Sequence, residues 1–316
     1  MIRPGAVVTE NYLQHLTGQL VDRLEAVPIT VRDRHLRWIL AQQNPDGGFS
    51  GREGGSDLYY TGFALRSLAV LQGLTPEVAD RAAPYLRSNL DKPAGVVDFF
   101  SLLVSVFLVR LAGGADVLAH APADWPERVA AVLETSRHAD GGYSKVVGGS
   151  SGSTYTTFLV AMALELLGKS VPAPEKCTAF LHSRYRAGGF VEIPQMKRAG
   201  TNPTAAAVGT FQILRSLDEA IKAGVSDYLP ALKSDFEGGL RANDRIPTAD
   251  LLSTFTGAWT LSEIGAIDRL DLKALREYAE SVEVPTGGFR GGVWDTHPDV
   301  EYTFYGLGVL ALTHPA

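Results

Sequence analysis

Asp250, Asp299 and Glu301 stand at the starts of two long apolar stretches, DLLSTFTGAWTLSEIG and DVEYTFYGLGVLALT, and Tyr302 follows the last of them. A carboxyl group facing an apolar, aromatic space resists ionisation and stays a proton donor. The same position has a structural use, because an aspartate at a helix start caps free backbone N–H groups. Asp57 shares that position, and both readings stand for all three aspartates. Aromatic side chains stud these stretches and their counterparts: Tyr59, Tyr60, Phe63, Phe99, Phe100, Tyr155, Phe158, Phe211, Phe255, Trp259, Phe304 and Tyr305. They can pack layers of helix, or their ring faces can line a cavity and hold positive charge in it.

The elements that must position these groups follow from composition and spacing. The chain has 316 residues, 45% hydrophobic and 20% charged, with a formal net charge of −6. That supports a substantial core and excludes a disordered chain. Slight acidity argues against nucleic-acid binding, which needs a basic surface. One cysteine, Cys177, excludes an intrachain disulfide framework and a multi-cysteine zinc site. The start, MIRPGAVVTENYLQHL, lacks the pattern of a signal peptide, and no apolar run is long enough to span a membrane. A cytoplasmic protein without a membrane span is expected. His35, His138, His182 and His314 are scattered and read as surface residues.

Glycine is over-represented, with 33 residues. Pairs followed by an aromatic or leucine begin at Gly47, Gly141, Gly188, Gly238 and Gly287, separated by 94, 47, 50 and 49 residues. The first gap is double, so a sixth unit near Gly95 has lost the signature. In each unit an amphipathic helical segment precedes the pair, and an apolar helical run follows. A glycine after a helix suits a left-handed C-cap. Six outer and six inner helices close most naturally into an all-α (α/α)6 toroid. One domain over 1–316 is expected, with 9–27 as an extra N-terminal helix.

The segment QQNPDGGFSGREGGSDLYYTGFALRSL, from Gln42 to Leu68, resembles the repeat of the protein prenyltransferase β subunits and squalene cyclases. The stretches Gly238 to Gly265 and Thr286 to Leu312 are similar to the last two repeats of the Rab geranylgeranyl type. The resemblance implies an apolar funnel for an isoprenoid chain, lined by Tyr59, Tyr60, Phe99, Tyr155, Phe255, Trp259 and Phe304. It also implies a basic rim for a prenyl diphosphate, here offered by Lys197, Arg198, Arg241 and Arg245. Guanidinium forks suit phosphate oxygens, although the same four can be solvated loop charges. The family's zinc Asp matches Asp250, but its Cys and His positions hold Leu252 and Tyr302, which are not zinc ligands of choice. No cofactor is therefore expected, and a rewired zinc site from Asp250, His297 and Asp299 is the weaker alternative.

Three functions stay open. The first is a prenyltransferase-like enzyme using a prenyl diphosphate without the zinc thiolate, with Asp250, Asp299, Glu301 and Tyr302 at the reacting end. The second is a cyclase-like enzyme with Glu301 or Asp299 as proton donor, because Pro298-Asp299-Val300-Glu301-Tyr302-Thr303 resembles the cyclases' acidic DxDD-T motif. The third is a non-catalytic toroid that binds a lipid or a protein partner. The family's β subunits pair with a helical α subunit, so a protein partner is compatible with the resemblance.

Overall fold

The computed structural model describes residues 10–92 and 94–315. Thirteen α-helices are found among them. The first, α1 (Tyr12–Leu24), begins with Asn11 in a reciprocal capping box with Gln14. It lies inside the expected extra helix, whose first residue, Thr9, is outside the described residues. Outer helices α2 (Ile29–Leu40), α4 (Pro76–Arg87), α6 (Trp125–Glu134), α8 (Pro174–Arg184), α10 (Glu219–Tyr228) and α12 (Leu272–Val282) alternate with inner ones. The inner helices are α3 (Leu58–Val70), α5 (Val96–Leu111), α7 (Thr154–Leu166), α9 (Thr201–Ile213), α11 (Leu251–Glu263) and α13 (Val300–Thr313). Each inner helix packs on the next, and α13 returns to α3, which closes the ring. None of the described helices is long and apolar enough to cross a membrane.

The glycine pairs do not cap the outer helices, as the sequence suggested. Helix α2 ends at Leu40, and Gly47 turns a short hairpin in which Gln43 bridges Phe49. Tyr185–Arg186 and Gly189–Phe190 form the same hairpin as a two-stranded ladder, β1 and β2. The first glycine of each pair has φ between +87° and +110°. The second faces an aromatic ring of the following outer helix: Gly48 meets Tyr85, Gly142 Phe180, Gly189 Tyr228 and Gly239 Tyr278. The next residue then donates its N–H to a threonine in the adjoining inner helix, as Phe49 does to Thr61 and Tyr143 to Thr157, both at 2.9 Å. In the unit without glycines, Phe99 occupies the place of that threonine.

The ring is joined by His35, which is fully buried and not the surface residue its isolation in the sequence suggested. Its Nδ1 accepts the Gly288 N–H at 3.0 Å, and its Nε2 lies 2.8 Å from Glu283. The ring stacks on Phe289, with centroids 4.6 Å apart. His35→Ala is expected to destabilise the protein by about 2 kcal/mol, since it leaves a buried N–H unpaired. A urea titration of the two proteins checks this.

Candidate functional site

One end of the ring is formed by the first turns of the inner helices. Asp57 accepts the N–H groups of Tyr59 and Tyr60, Asp250 that of Ser253, and Asp299 that of Tyr302. All three aspartates are thus caps. Asp299 also accepts from Arg52 Nε at 3.0 Å, and Arg52 reaches Asp295 with its other nitrogens. Burial raises Asp299 against its cap bond and Arg52, and it raises Asp250 against its bonds to Ser253. Asp295 goes the other way: burial opposes ionisation, but the Gly291 N–H and Arg52 outweigh it.

Glu301, in the first turn of α13, has no capping duty. Its Oε1 accepts the Tyr59 hydroxyl at 2.6 Å. Burial pushes it up to about 7, opposed by the Tyr59 bond and reinforced by the nearby Asp299 charge. Burial and Glu301 together hold the Tyr59 hydroxyl well above its ordinary range, so it remains a donor.

Behind Tyr59 opens a cavity of about 400 Å³, in the size range of small-molecule sites. Phe63, Phe158, Phe255, Trp259, Phe304 and Tyr305 dominate its wall. Helix α1 closes the far end, where the inner helices finish. The Tyr12 N–H donates to Glu165 at 2.8 Å, and His15 lies 3.1 Å from Glu263. Tyr12 then faces the cavity and accepts Trp259 Nε1 at 2.9 Å. A groove of about 1080 Å³ elsewhere, of mixed polarity, lies between the loop that follows α2 and helix α4, away from these groups.

Of the seven residues the resemblance assigns to a prenyl funnel, Tyr59, Tyr155, Phe255, Trp259 and Phe304 line this cavity. Tyr60 and Phe99 do not. Tyr60 lies over Gly51, and Phe99 lines a separate pocket with Trp125. The four cations expected at the rim are not on the wall. Lys197, Arg198 and Arg245 are exposed, and Arg198 pairs with Asp244 at 2.5 Å. Arg241 donates to the carbonyls of Leu232 and Ala231. Lys145 and Arg66 are the cations that line the cavity.

Among the described residues no group of three or more His, Cys, Asp or Glu gathers as a metal would require. Asp250 and Asp299 cap different helices, and His297 Nδ1 is engaged by Thr296 at 2.8 Å. Leu252 sits on the cavity wall, and Tyr302 lies under the Arg52 guanidinium. Cys177 is buried on α8, and burial pushes its thiol up to about 11. This donor set does not fit zinc.

The sequence reading overlooked Arg66 and Tyr12. A signal existed for the first, since an arginine interrupts FALRSLAVL, an otherwise apolar inner helix. Tyr12 carried none, because nothing local tells that α1 covers the far end of the ring.

The prenyltransferase alpha-alpha toroid domain model matches residues 16–98 and 101–315. The chain belongs to this family. Among curated proteins no sequence matches the toroid. Protein geranylgeranyltransferase-I of Candida albicans, in complex with GGPP, superposes on the toroid with a TM-score of 0.69 at 13% identity, covering 89% of this chain and 91% of that one. A type II terpene cyclase from Scytonema, in complex with geranylgeranyl dihydroxybenzoate, gives 0.57 at 12% identity, covering 95% and 97%. An alpha-1,6-mannanase from Salegentibacter gives 0.62 at 10% identity, covering 90% and 98%. At such identities the likeness is one of fold, and the toroid's chemistry must be argued from its own side chains.

Proposed function

We propose that the toroid binds an isoprenoid chain in its central cavity and acts on it by proton transfer at Glu301. The observation that carries this reading is the Glu301 carboxyl bonded to Tyr59, whose ring lines the aromatic cavity, while Glu301 itself stands behind that ring and not on the wall. The Glu301 O–H bond breaks as the proton passes to an alkene carbon, and the Tyr59 hydroxyl stabilises the carboxylate left behind. The aromatic faces stabilise the positive charge created on the chain. Loss of a proton from the product back to Glu301 closes the cycle. A carboxyl near 7 is a weak acid for this task, so the Tyr59 bond, strongest to the carboxylate, carries part of the chemistry. The two relatives crystallised with geranylgeranyl groups support a chain of that class.

A diphosphate-dependent transferase is the second reading. It is favoured by the fold likeness to the geranylgeranyltransferase with GGPP, and by Lys145 on the cavity wall with Lys197 and Arg245 exposed in neighbouring loops. One assay separates the readings. The protein is incubated with geranylgeraniol or geranylgeranyl diphosphate, without an acceptor, and the lipids are analysed by mass spectrometry. Cyclised or isomerised product from either lipid is expected. Diphosphate release only when an acceptor is added would favour the transferase, and binding without turnover would leave a lipid-binding toroid.

A further inference from the structure

Arg66 projects from α3 into the cavity, where its neighbours are rings. Its guanidinium lies 4.1 Å from the Phe304 centroid and 5.2 Å from that of Phe63. Tyr305, Tyr155, Tyr59 and Tyr12 share the cavity wall with it. Among the described residues none of its ion pairs or hydrogen bonds is made with a carboxylate. The wall's other charged residues are Lys145 and Glu192, and Glu192 is engaged by the Ser153 hydroxyl and the Tyr155 N–H. A guanidinium enclosed by aromatic rings lacks most of its hydration, and ring faces compensate for only part of that loss.

We infer that Arg66 is the counter-ion for the carboxylate head of an isoprenoid acid. This rests on the isoprenoid reading and narrows it. One guanidinium matches one carboxylate in charge and in bidentate geometry, whereas a diphosphate would bring surplus charge into an apolar space. Tyr12, whose hydroxyl accepts from Trp259 and keeps its own proton, and Tyr155 share the wall and can donate to the same head, whereas Tyr59 is committed to Glu301. Neutralising Arg66 also removes the repulsion it would exert on a carbocation in the same cavity.

The test compares binding of geranylgeranoic acid with geranylgeraniol, and of oleic acid with oleyl alcohol, by calorimetry on the full chain. The acid should bind at least about tenfold more tightly than the alcohol of equal length. Arg66→Met should abolish that preference, while Arg66→Lys, which keeps the charge but not the bidentate fork, retains only part of it. Equal binding of acid and alcohol by the native protein, or an undiminished preference in Arg66→Met, would overturn the inference. An Arg66-dependent preference in the oleyl pair without any binding of the geranylgeranyl pair would sustain the counter-ion and overturn the isoprenoid chain. Binding in neither pair would overturn both.

A separate observation concerns the outside of the same mouth. Backbone bridges between Phe49 and Asp57, Tyr143 and Ser153, Phe190 and Gly200, Arg241 and Ala249, and Phe289 and Asp299 pinch the base of five loops. Their tips carry Val146, Val147, Met196, Ile246, Val293 and Trp294, six of the eleven exposed large hydrophobics among the described residues. Val147 is 71% exposed and Trp294 55%. Between those bridges lie six Lys or Arg against four Asp or Glu, on a chain of net charge −6; with Arg52 paired to Asp295 and Asp299 and Arg198 to Asp244, Lys145, Lys197, Arg245 and Arg290 stand against Glu53 and Glu192.

The geometry points to this rim as a docking surface for an anionic membrane, from which an apolar substrate enters. Apolar tips flanked by basic groups suit insertion at a lipid headgroup boundary, and tryptophan favours that depth. Vesicles of phosphatidylcholine, with and without phosphatidylglycerol, are the probe in a flotation assay. The protein should float with the anionic vesicles, and at least threefold less with Val147→Ser/Trp294→Ser or at high salt. No flotation, flotation indifferent to these changes, or self-association through the rim without lipid binding would overturn the assignment.

Discussion

Glu301→Gln should lower turnover of the isoprenoid substrate by at least about a hundredfold and leave its binding within about threefold. Glutamine keeps the shape of the side chain and can still accept the Tyr59 hydroxyl, but it has no acidic proton. Calorimetry with the substrate and single-turnover assays measure the two effects separately. A matched loss of binding would instead make Glu301 a wall residue. The pH dependence has a definite sign. Glu301 titrates near 7 when folded, so the donor form and the rate should fall as pH rises through that value. The raised value also favours the folded state where the carboxyl is protonated. That contribution is present below the ordinary glutamate range and is lost as pH climbs toward 7. The native protein should therefore gain thermal stability relative to Glu301→Gln between pH 8 and pH 5.

Gly47→Ala should destabilise the ring by about 4 kcal/mol, a large share of a typical folding free energy. The backbone there has φ +91°, and an added Cβ would stand 1.7 Å from the Arg81 carbonyl oxygen in α4. Main chain on a packed helix cannot move aside as a side-chain tip would. Gly54→Ala supplies the comparison. Its φ of +87° is similar, but no atom lies within 4 Å of the added carbon. That change should cost roughly 1 kcal/mol, the strain of the backbone alone. Urea unfolding of both variants tests whether close approach between repeats, beyond the turn itself, requires the glycine.

The architecture was legible because glycine pairs and apolar runs recur with nearly constant spacing, and both are local properties. The capping aspartates were legible for the same reason, since Asp57, Asp250 and Asp299 bond within three residues of themselves. Partnerships across the ring were not. Arg198 and Asp244 lie 46 residues apart, and nothing local indicates that the arginine spends its charge on a neighbouring loop. Arg241 looked available for a ligand, yet it holds main-chain carbonyls next to its own hairpin. His35 meets Gly288 across 253 residues, so its burial depends on ring closure. Of the two acids in Asp299-Val300-Glu301, sequence alone treated both as donors. The cap bond and Arg52 occupy Asp299, while Tyr59 comes from a different repeat to hold Glu301.

The contact of Gly287 and Gly288 with Arg34 and Trp38 has the same form as that of Gly47 and Gly48 with Arg81 and Tyr85. In space, then, the ring has no seam: the last hairpin grips α2 as each earlier one grips the helix after it. Numbering the repeats from one to six describes the order of translation and not the architecture. The irregular link is the one between α4 and α5, whose sequence lacks the glycine pair. A circularly permuted chain opened in that link, with its original ends connected, would preserve every hairpin-to-helix joint.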